Sequence, residues 1–372
     1  MNRRPNALTV ARRVVGARLG WRPPVYLVHA LTARCNARCG FCAWKPEFYN
    51  PAEQLPTDAI KQLYEDAKRA GFVGLSMWGG EPLLHADFDE ILGHASRLGL
   101  MTHAVTNGYL LDRKMDVLVR HMDRLCISLD HPSSMHDGIR GIKGLFDRIV
   151  ESTKELRRRV PNKQIIFVYT LLKANVAESA IRAMADLMAE LGTLVVFNAM
   201  REDAATADTG VSLVDYAPSR EQLANAFSTV SDLKRKGYPI LNSHTHMDML
   251  SVGPPVYRCH WPKFMLPVEA NGDVVDCMHW GTRPIGNIRQ TPFAELLKSR
   301  RLREITGKEG ERCHECVSIH RVEISEVWNG NFEPVWSWLK LRKPPRPHTA
   351  LSGAGAVSDR PGTTREPRPG PV

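Results

Sequence analysis

No run of about 18 consecutive apolar residues occurs in this 372-residue sequence, so none of its helices is expected to cross a bilayer. The amino-terminal stretch is basic but lacks the unbroken apolar segment of a secretion signal, being interrupted by Arg12, Arg13 and Arg18. A cytoplasmic protein is therefore expected. Acid is missing from residues 1–24, which hold Arg3, Arg4, Arg12, Arg13, Arg18 and Arg22. It is scarce in residues 340–372, where seven Lys and Arg face only Asp359 and Glu366. The two ends carry +6 and +5 of a net +10, so residues 25–339 are close to neutral. A body without surplus positive charge offers no groove for phosphates, and nucleic acid is not expected as a partner.

The chain has 43% hydrophobic and 24% charged residues, enough to bury two or three units. Strands are expected at Tyr26–Thr32, Val73–Trp78, Met101–Thr106, Leu125–Leu129, Ile165–Leu171 and Leu194–Asn198. Helical patterns lie between them, as at Thr57–Ala70, where Thr57 can cap and Ile60, Leu63, Tyr64 and Ala67 recur at helical spacing. Such repeats indicate an α/β fold of parallel strands joined by crossovers, an open sheet or a partial barrel, with chemistry at the carboxyl ends of the strands. A connection at 201–217 and a helix near Arg220–Arg235 follow. From about 238 a smaller α+β unit begins, with strands at Phe264–Glu269 and Val274–Cys277 around an Asn271-Gly272 turn. Residues 341–372, rich in Pro, Gly and Arg, read as a disordered tail. The expected division is therefore 1–24, 25–215, 216–340 and 341–372.

Eight cysteines in a reducing compartment are not four disulfides. Cys126, alone in an apolar run, reads as a small buried hydrophobe. The other seven form two groups, and grouped thiols point to metal. Cys35-x3-Cys39-x2-Cys42 follows directly on the first strand. Three thiolates on a tight loop can ligate three irons of a four-iron cluster and leave one coordination site open, as a catalytic metal needs. Gly40 lets the loop bend, and Phe41 sets an aromatic beside it. In the second group Cys259 and Cys277 precede Cys313-His314-Glu315-Cys316. Four thiolates saturate one zinc or one cluster, and spacing leaves both open.

The first group resembles the radical S-adenosylmethionine (radical SAM) superfamily, and the supporting motifs stand in that family's order. Gly79-Gly80-Glu81-Pro82 is similar to its GGEP turn, which binds the methionine amino group. Thr106-Asn107-Gly108 and Ser128-Leu129-Asp130 end the third and fourth strands. His136-Asp137-Gly138-Ile139-Arg140-Gly141 resembles an HDxxRG segment, implying that Arg140 meets the cofactor carboxylate. The strand ending at Leu171, with Asn175 beyond, matches the segment whose backbone meets adenine. The resemblance implies a partial (β/α)6 TIM-like barrel over roughly 25–200, a [4Fe-4S] cluster chelated by S-adenosylmethionine, and a 5′-deoxyadenosyl radical. It also implies an electron donor such as flavodoxin or ferredoxin. The second group resembles the SPASM/Twitch extension, which implies an auxiliary [4Fe-4S] cluster on Cys259, Cys277, Cys313 and Cys316. With no cysteine after Cys316, the shorter one-cluster form is expected.

The expected activity is hydrogen abstraction from an unactivated C–H bond, oxidising or rearranging a polar small molecule such as a sugar, cyclitol or nucleoside. Residues 7–20 read as a basic helix that packs on the barrel or lies weakly on a membrane surface, and the latter makes adenosyl transfer to an isoprenoid lipid a second reading. Peptide maturation is a third, disfavoured because Met278 stands where sulfatase-maturing relatives carry an aspartate base and because about 25 residues precede the barrel. A zinc-stabilised binding protein is the non-enzymatic alternative. Asn198 and Arg201 lie where a barrel grips a polar substrate. His244-Thr245-His246 reads as an extended loop, His29 as a hydrogen-bonded core histidine, and Trp328, Trp336 and Trp338 as a docking segment.

Overall fold

The structure, a computed structural model, describes residues 4–20, 23–42, 50–200, 213–253, 255–277, 284–308 and 316–340. Helix α1 (Ala7–Arg18) precedes six strands, β1 (Tyr26–Thr32), β2 (Gly74–Gly79), β3 (Met101–Thr106), β4 (Arg124–Ser128), β5 (Gln164–Leu171) and β6 (Leu194–Ala199). All six are parallel and lie in chain order. The connections carry α2 (Thr57–Ala70), α3 (Phe88–Arg97), α4 (Met115–His121), α5 (Met135–Arg140), α6 (Leu145–Arg159) and α7 (Glu178–Glu190). Beyond β6 come α8 (Arg220–Arg235), α9 (His244–Val252), α10 (Trp261–Phe264), β7 (Met265–Val268), β8 (Asp273–Val275) and β9 (Pro284–Asn287). Helices α11 (Phe293–Leu296), α12 (Arg300–Lys308), α13 (Ile319–Asn329) and α14 (Glu333–Lys340) complete the described chain.

Parallel strands are covered on both faces, and the side chains divide accordingly. Leu125, Ile127, Ile165, Phe167, Val195 and Phe197 pack under the outer helices in the main core. Their neighbours Cys126, Ile166, Leu194 and Val196 face the inside of the barrel, where Leu241 and Ile319 close over them. His29 belongs to the helix side, its Nδ1 2.9 Å from the Tyr64 hydroxyl. Burial holds its pKa down at about 3, so it is a neutral core histidine.

Among the described residues the sheet does not close on itself. It runs β6-β5-β4-β3-β2-β1-β7-β8-β9, with β7 parallel to β1 (Leu27 opposite Leu266) and β7–β9 antiparallel. The strands expected after 238 thus extend the barrel's own sheet. Two local expectations are corrected. His244-Thr245-His246 is not extended but opens α9, because the Ser243 hydroxyl caps that helix by accepting from the His246 N–H at 3.1 Å. Thr57 does not cap α2. It is the first helical residue after Pro56, and its hydroxyl donates to Asp87 instead.

Helix α1 packs Val10, Val14 and Ala17 against Val25, Tyr26, Val73 and Met101, which lie where β1, β2 and β3 begin. It therefore covers the end of the barrel opposite the cysteine loop. Of the three tryptophans grouped above, Trp328 is buried against Phe264, Trp338 is half-buried, and Trp336 is exposed.

Candidate active site

The Cys35–Cys42 loop leaves the carboxyl end of β1, as strand order requires of a barrel site. Its path is held by backbone bonds: Gly80 N–H donates to Thr32 O at 2.8 Å, Glu81 N–H to Arg34 O at 2.8 Å, and Arg38 N–H to Arg140 O at 2.9 Å. These contacts explain the paired glycines. Gly79 has φ +118°, and a Cβ there would lie 2.5 Å from the Thr32 carbonyl oxygen; at Gly80 it would lie 2.3 Å from that of Arg34. Gly80→Ala is therefore expected to cost about 2 kcal/mol by prising the loop from β2. Gly138→Ala, with nothing within 4 Å of its added methyl, should leave the melting temperature unchanged. Thermal melts of the two variants check this, and equal melting points would refute it.

Glu81 is fully buried, and its carboxylate ties β2 to β3. Oε1 accepts from the Thr106 hydroxyl (2.7 Å) and the Leu83 N–H (3.0 Å), and Oε2 from the Asn107 N–H (2.6 Å). Burial raises its pKa to about 7, and these three donors work against that rise. Asn107 continues the chain of contacts, its Nδ2 donating to Asn36 Oδ1 at 2.8 Å and lying 4.0 Å from Cys35 Sγ. Pro82 begins the short turn that Glu81 caps.

Asp130, also fully buried, organises the next strand ends. Its Oδ2 receives Arg140 Nε and Nη2, both at 2.6 Å, and its Oδ1 receives the Thr170 N–H at 2.9 Å. Asn175 Nδ2 donates to the carbonyls of Asp130 (2.7 Å) and Thr170 (2.9 Å), binding β4 to β5. The guanidinium of Arg140 is thereby aimed at the cysteine loop: Nη1 is 3.7 Å from Cys39 Sγ, and the group lies 5.4 Å from the centre of the Phe41 ring. Burial alone would lower its pKa, but Asp130 and the Cys39 thiol more than reverse that. Ser128 is half-buried at the end of β4. Leu171 points into the helix-side core, which leaves its backbone for any ligand contact.

Two thiols of the second cysteine group lie beside β1. Cys259 and Cys316 are buried with Val28, Tyr257, Trp261 and Val322, and the Tyr257 hydroxyl donates to the Cys316 carbonyl at 3.0 Å. Arg321, 3% exposed, is stacked 4.7 Å over the Trp261 ring. Its Nη1 donates to Ser318 Oγ at 3.0 Å, while Nε and Nη2 are buried without an oxygen or nitrogen acceptor among the described residues. Burial opposes its charge, yet the sulfurs of Cys277, Cys316 and Cys259 hold its pKa up. Sequence reasoning missed Arg321, although it stands five residues past Cys316. Cys313, Met278 and Arg201 lie outside the described residues.

The described residues thus form an open α/β barrel with a three-cysteine loop at its strand ends and two further buried thiols beside β1; among them no three His, Cys, Asp or Glu side chains converge as a preformed metal site. Residues 30–188 match the family model of the radical SAM superfamily, and residues 259–317 match that of SPASM, an iron-sulfur cluster-binding domain. The chain is 24% identical over 349 residues to an Fe-coproporphyrin III synthase of Methanosarcina barkeri (strain Fusaro), covering 82% of each chain. It is 28% identical over 317 residues to an AdoMet-dependent heme synthase of the same organism, covering 77% of this chain and 88% of that one. SuiB of Streptococcus suis bound to S-adenosylmethionine shares the fold, with TM-score 0.62 and 17% identity over 80% of this chain and 71% of its own. The chain thus carries a radical SAM domain followed by a SPASM domain. It is an enzyme that uses a [4Fe-4S] cluster with S-adenosylmethionine and carries auxiliary iron–sulfur chemistry.

Proposed function

We propose that Cys35, Cys39 and Cys42 hold the cluster that S-adenosylmethionine chelates, and that Cys259, Cys277, Cys313 and Cys316 hold one auxiliary [4Fe-4S] cluster. The donor chemistry fits. Arg140 approaches Cys39, and Asn107 approaches Cys35, as donors to anionic sulfur. Arg321, buried and held charged by the sulfurs of Cys277, Cys316 and Cys259, fits the second set in the same way. In this reading residues 25–215 carry the radical site and 216–340 the auxiliary one. Gly79, Gly80 and Pro82 bring backbone close to the cofactor, while Glu81, Thr106 and Asn107 hold that turn. Asp130 orients Arg140 toward the cofactor carboxylate, and Phe41, Ser128 and the Leu171 backbone line the remainder. When bound, these groups supply a 5′-deoxyadenosyl radical and an electron acceptor.

The reaction we infer is hydrogen abstraction from an unactivated C–H bond of a polar small molecule (sugar, cyclitol or nucleoside), leading to its oxidation. The observation that carries this is Asn198. It has the inward parity of Leu194 and Val196 and stands opposite Thr170 at the carboxyl end of β6. Its Oδ1 is buried and accepts no hydrogen bond among the described residues. A buried acceptor left unmade is costly, and a substrate hydroxyl or amine is the donor it suits. Anaerobic turnover with deuterated candidates tests the reading: deuterium should appear in 5′-deoxyadenosine together with a two-electron oxidised product. Deoxyadenosine without that product would sink it. The two curated relatives favour a second reading, a tetrapyrrole substrate. Among the deuterated candidates, coproporphyrin then becomes the one that transfers its label.

A further inference from the structure

Helix α1 carries apolar residues on both sides. Val10, Val14 and Ala17 serve the barrel, whereas Leu8 (65% exposed), Val15 (54%) and Leu19 (51%) point outward beside the exposed Arg12 and Arg18. The helix contains no Asp or Glu. Helix α14 repeats the pattern. Ser337 is buried on its inner side, and Trp338 donates from Nε1 to Glu323 at 3.2 Å and stacks under Arg124. Phe332, Val335, Trp336 (63% exposed) and Leu339 form an outward stripe at i, i+3, i+4 and i+7.

Both helices sit at one end of the barrel. Arg4, just before α1, pairs with Asp123 at 2.9 Å, and Trp338 of α14 lies against Arg124, the first residue of β4. Neighbouring residues at the start of a single strand thus anchor the two helices, at the end opposite Cys35, Glu81 and Asp130. Charge fits the same face: α1 exposes Arg12 and Arg18 and holds no acid, and by sequence both ends of the chain are basic, residues 1–24 with six Arg and no acid and residues 340–372 with seven Lys and Arg against two acids. Exposed apolar side chains beside Arg12 and Arg18, with the one acid of α14, Glu333, engaged by the His244 and Thr245 N–H groups, are complementary to a bilayer of anionic headgroups and not to a neutral or basic partner.

We propose that the outward faces of α1 and α14 form a docking surface for an anionic lipid bilayer, with the cysteine loop held at the end of the barrel away from the membrane. The surface positions the enzyme at the membrane and does not feed lipid into the site, so it stands independently of the proposed reaction. The test is co-sedimentation of the full chain with phosphatidylcholine vesicles containing or lacking phosphatidylglycerol. Binding is expected only to the anionic vesicles. It should weaken about tenfold or more in Leu8→Ser/Val15→Ser/Leu19→Ser and again in Phe332→Ser/Trp336→Ser/Leu339→Ser. Bromine-labelled acyl chains should quench the unaltered protein's tryptophan fluorescence, with much of the quench lost in Trp336→Phe, a variant that keeps the aromatic face. Three results would overturn the proposal: no binding to anionic vesicles, binding that survives both triple variants, or a dimer in solution that the same variants dissociate. The second would mean that charge alone attracts the chain, and the third that a second copy covers the face.

Discussion

Cys35→Ala, Cys39→Ala and Cys42→Ala should each abolish formation of 5′-deoxyadenosine from S-adenosylmethionine and lower the iron content by about four atoms per chain. Burial pushes the Cys35 thiol up to about 11 and raises Cys39 as well, so these two thiols hold their protons. Metal must displace them, and only three sulfurs acting together repay that cost. With one gone, two remain on a loop that offers no replacement within its eight residues. Cys126→Ala is the control. That thiol lies inside the barrel 3.0 Å from His103 Nε2, and burial raises its pKa to about 12. Its loss should cost about 1 kcal/mol of stability and leave both iron and deoxyadenosine intact. Iron assay and product chromatography decide the matter. A fully loaded, active Cys35→Ala would remove the assignment, as would iron loss in Cys126→Ala.

Arg321→Met should lower the midpoint potential of the auxiliary cluster by on the order of 100 mV, because a unit charge beside a buried redox centre interacts with the added electron by roughly 2–3 kcal/mol. A guanidinium beside the sulfurs favours the reduced, more negative state, so removing it makes the added electron harder to hold. Arg321→Lys should recover much of the shift, though without the stacking on Trp261 that the planar group makes. Potentiometric titration followed by electron paramagnetic resonance gives the number, and iron content separates the possibilities. Full iron with an unmoved potential would show that Arg321 only packs. Iron missing from the unaltered protein's second site would instead defeat the ligand assignment itself.

Much of the barrel was readable from local pattern. The expected boundaries of β1, β3, α2 and α8 match the structure, since alternation and helical spacing are properties of a few consecutive residues. Errors arose where a local signal had a stronger competitor. The His244-Thr245-His246 segment looked extended until Ser243 was seen to cap a helix there, and His246 is buried between Asn242 and the Val317 carbonyl. The strands after 238 looked like a separate unit because their pairing with β1 joins residues as distant as Leu27 and Leu266.

The three-thiol spacing, the glycine pair and the basic, acid-free ends are written along the chain, and each follows from residues close enough in sequence to constrain one another directly. Countercharge and reach are different. Asn107 meets Cys35 across 72 positions, and Arg140 meets Cys39 across 101. Arg321 finds its thiols from three separate segments, and α1 and α14 share one end of the barrel from opposite ends of the described chain. Such contacts exist only after loop closure has brought remote segments together, and burial, which sets the strength of every charge interaction named above, has no meaning before that.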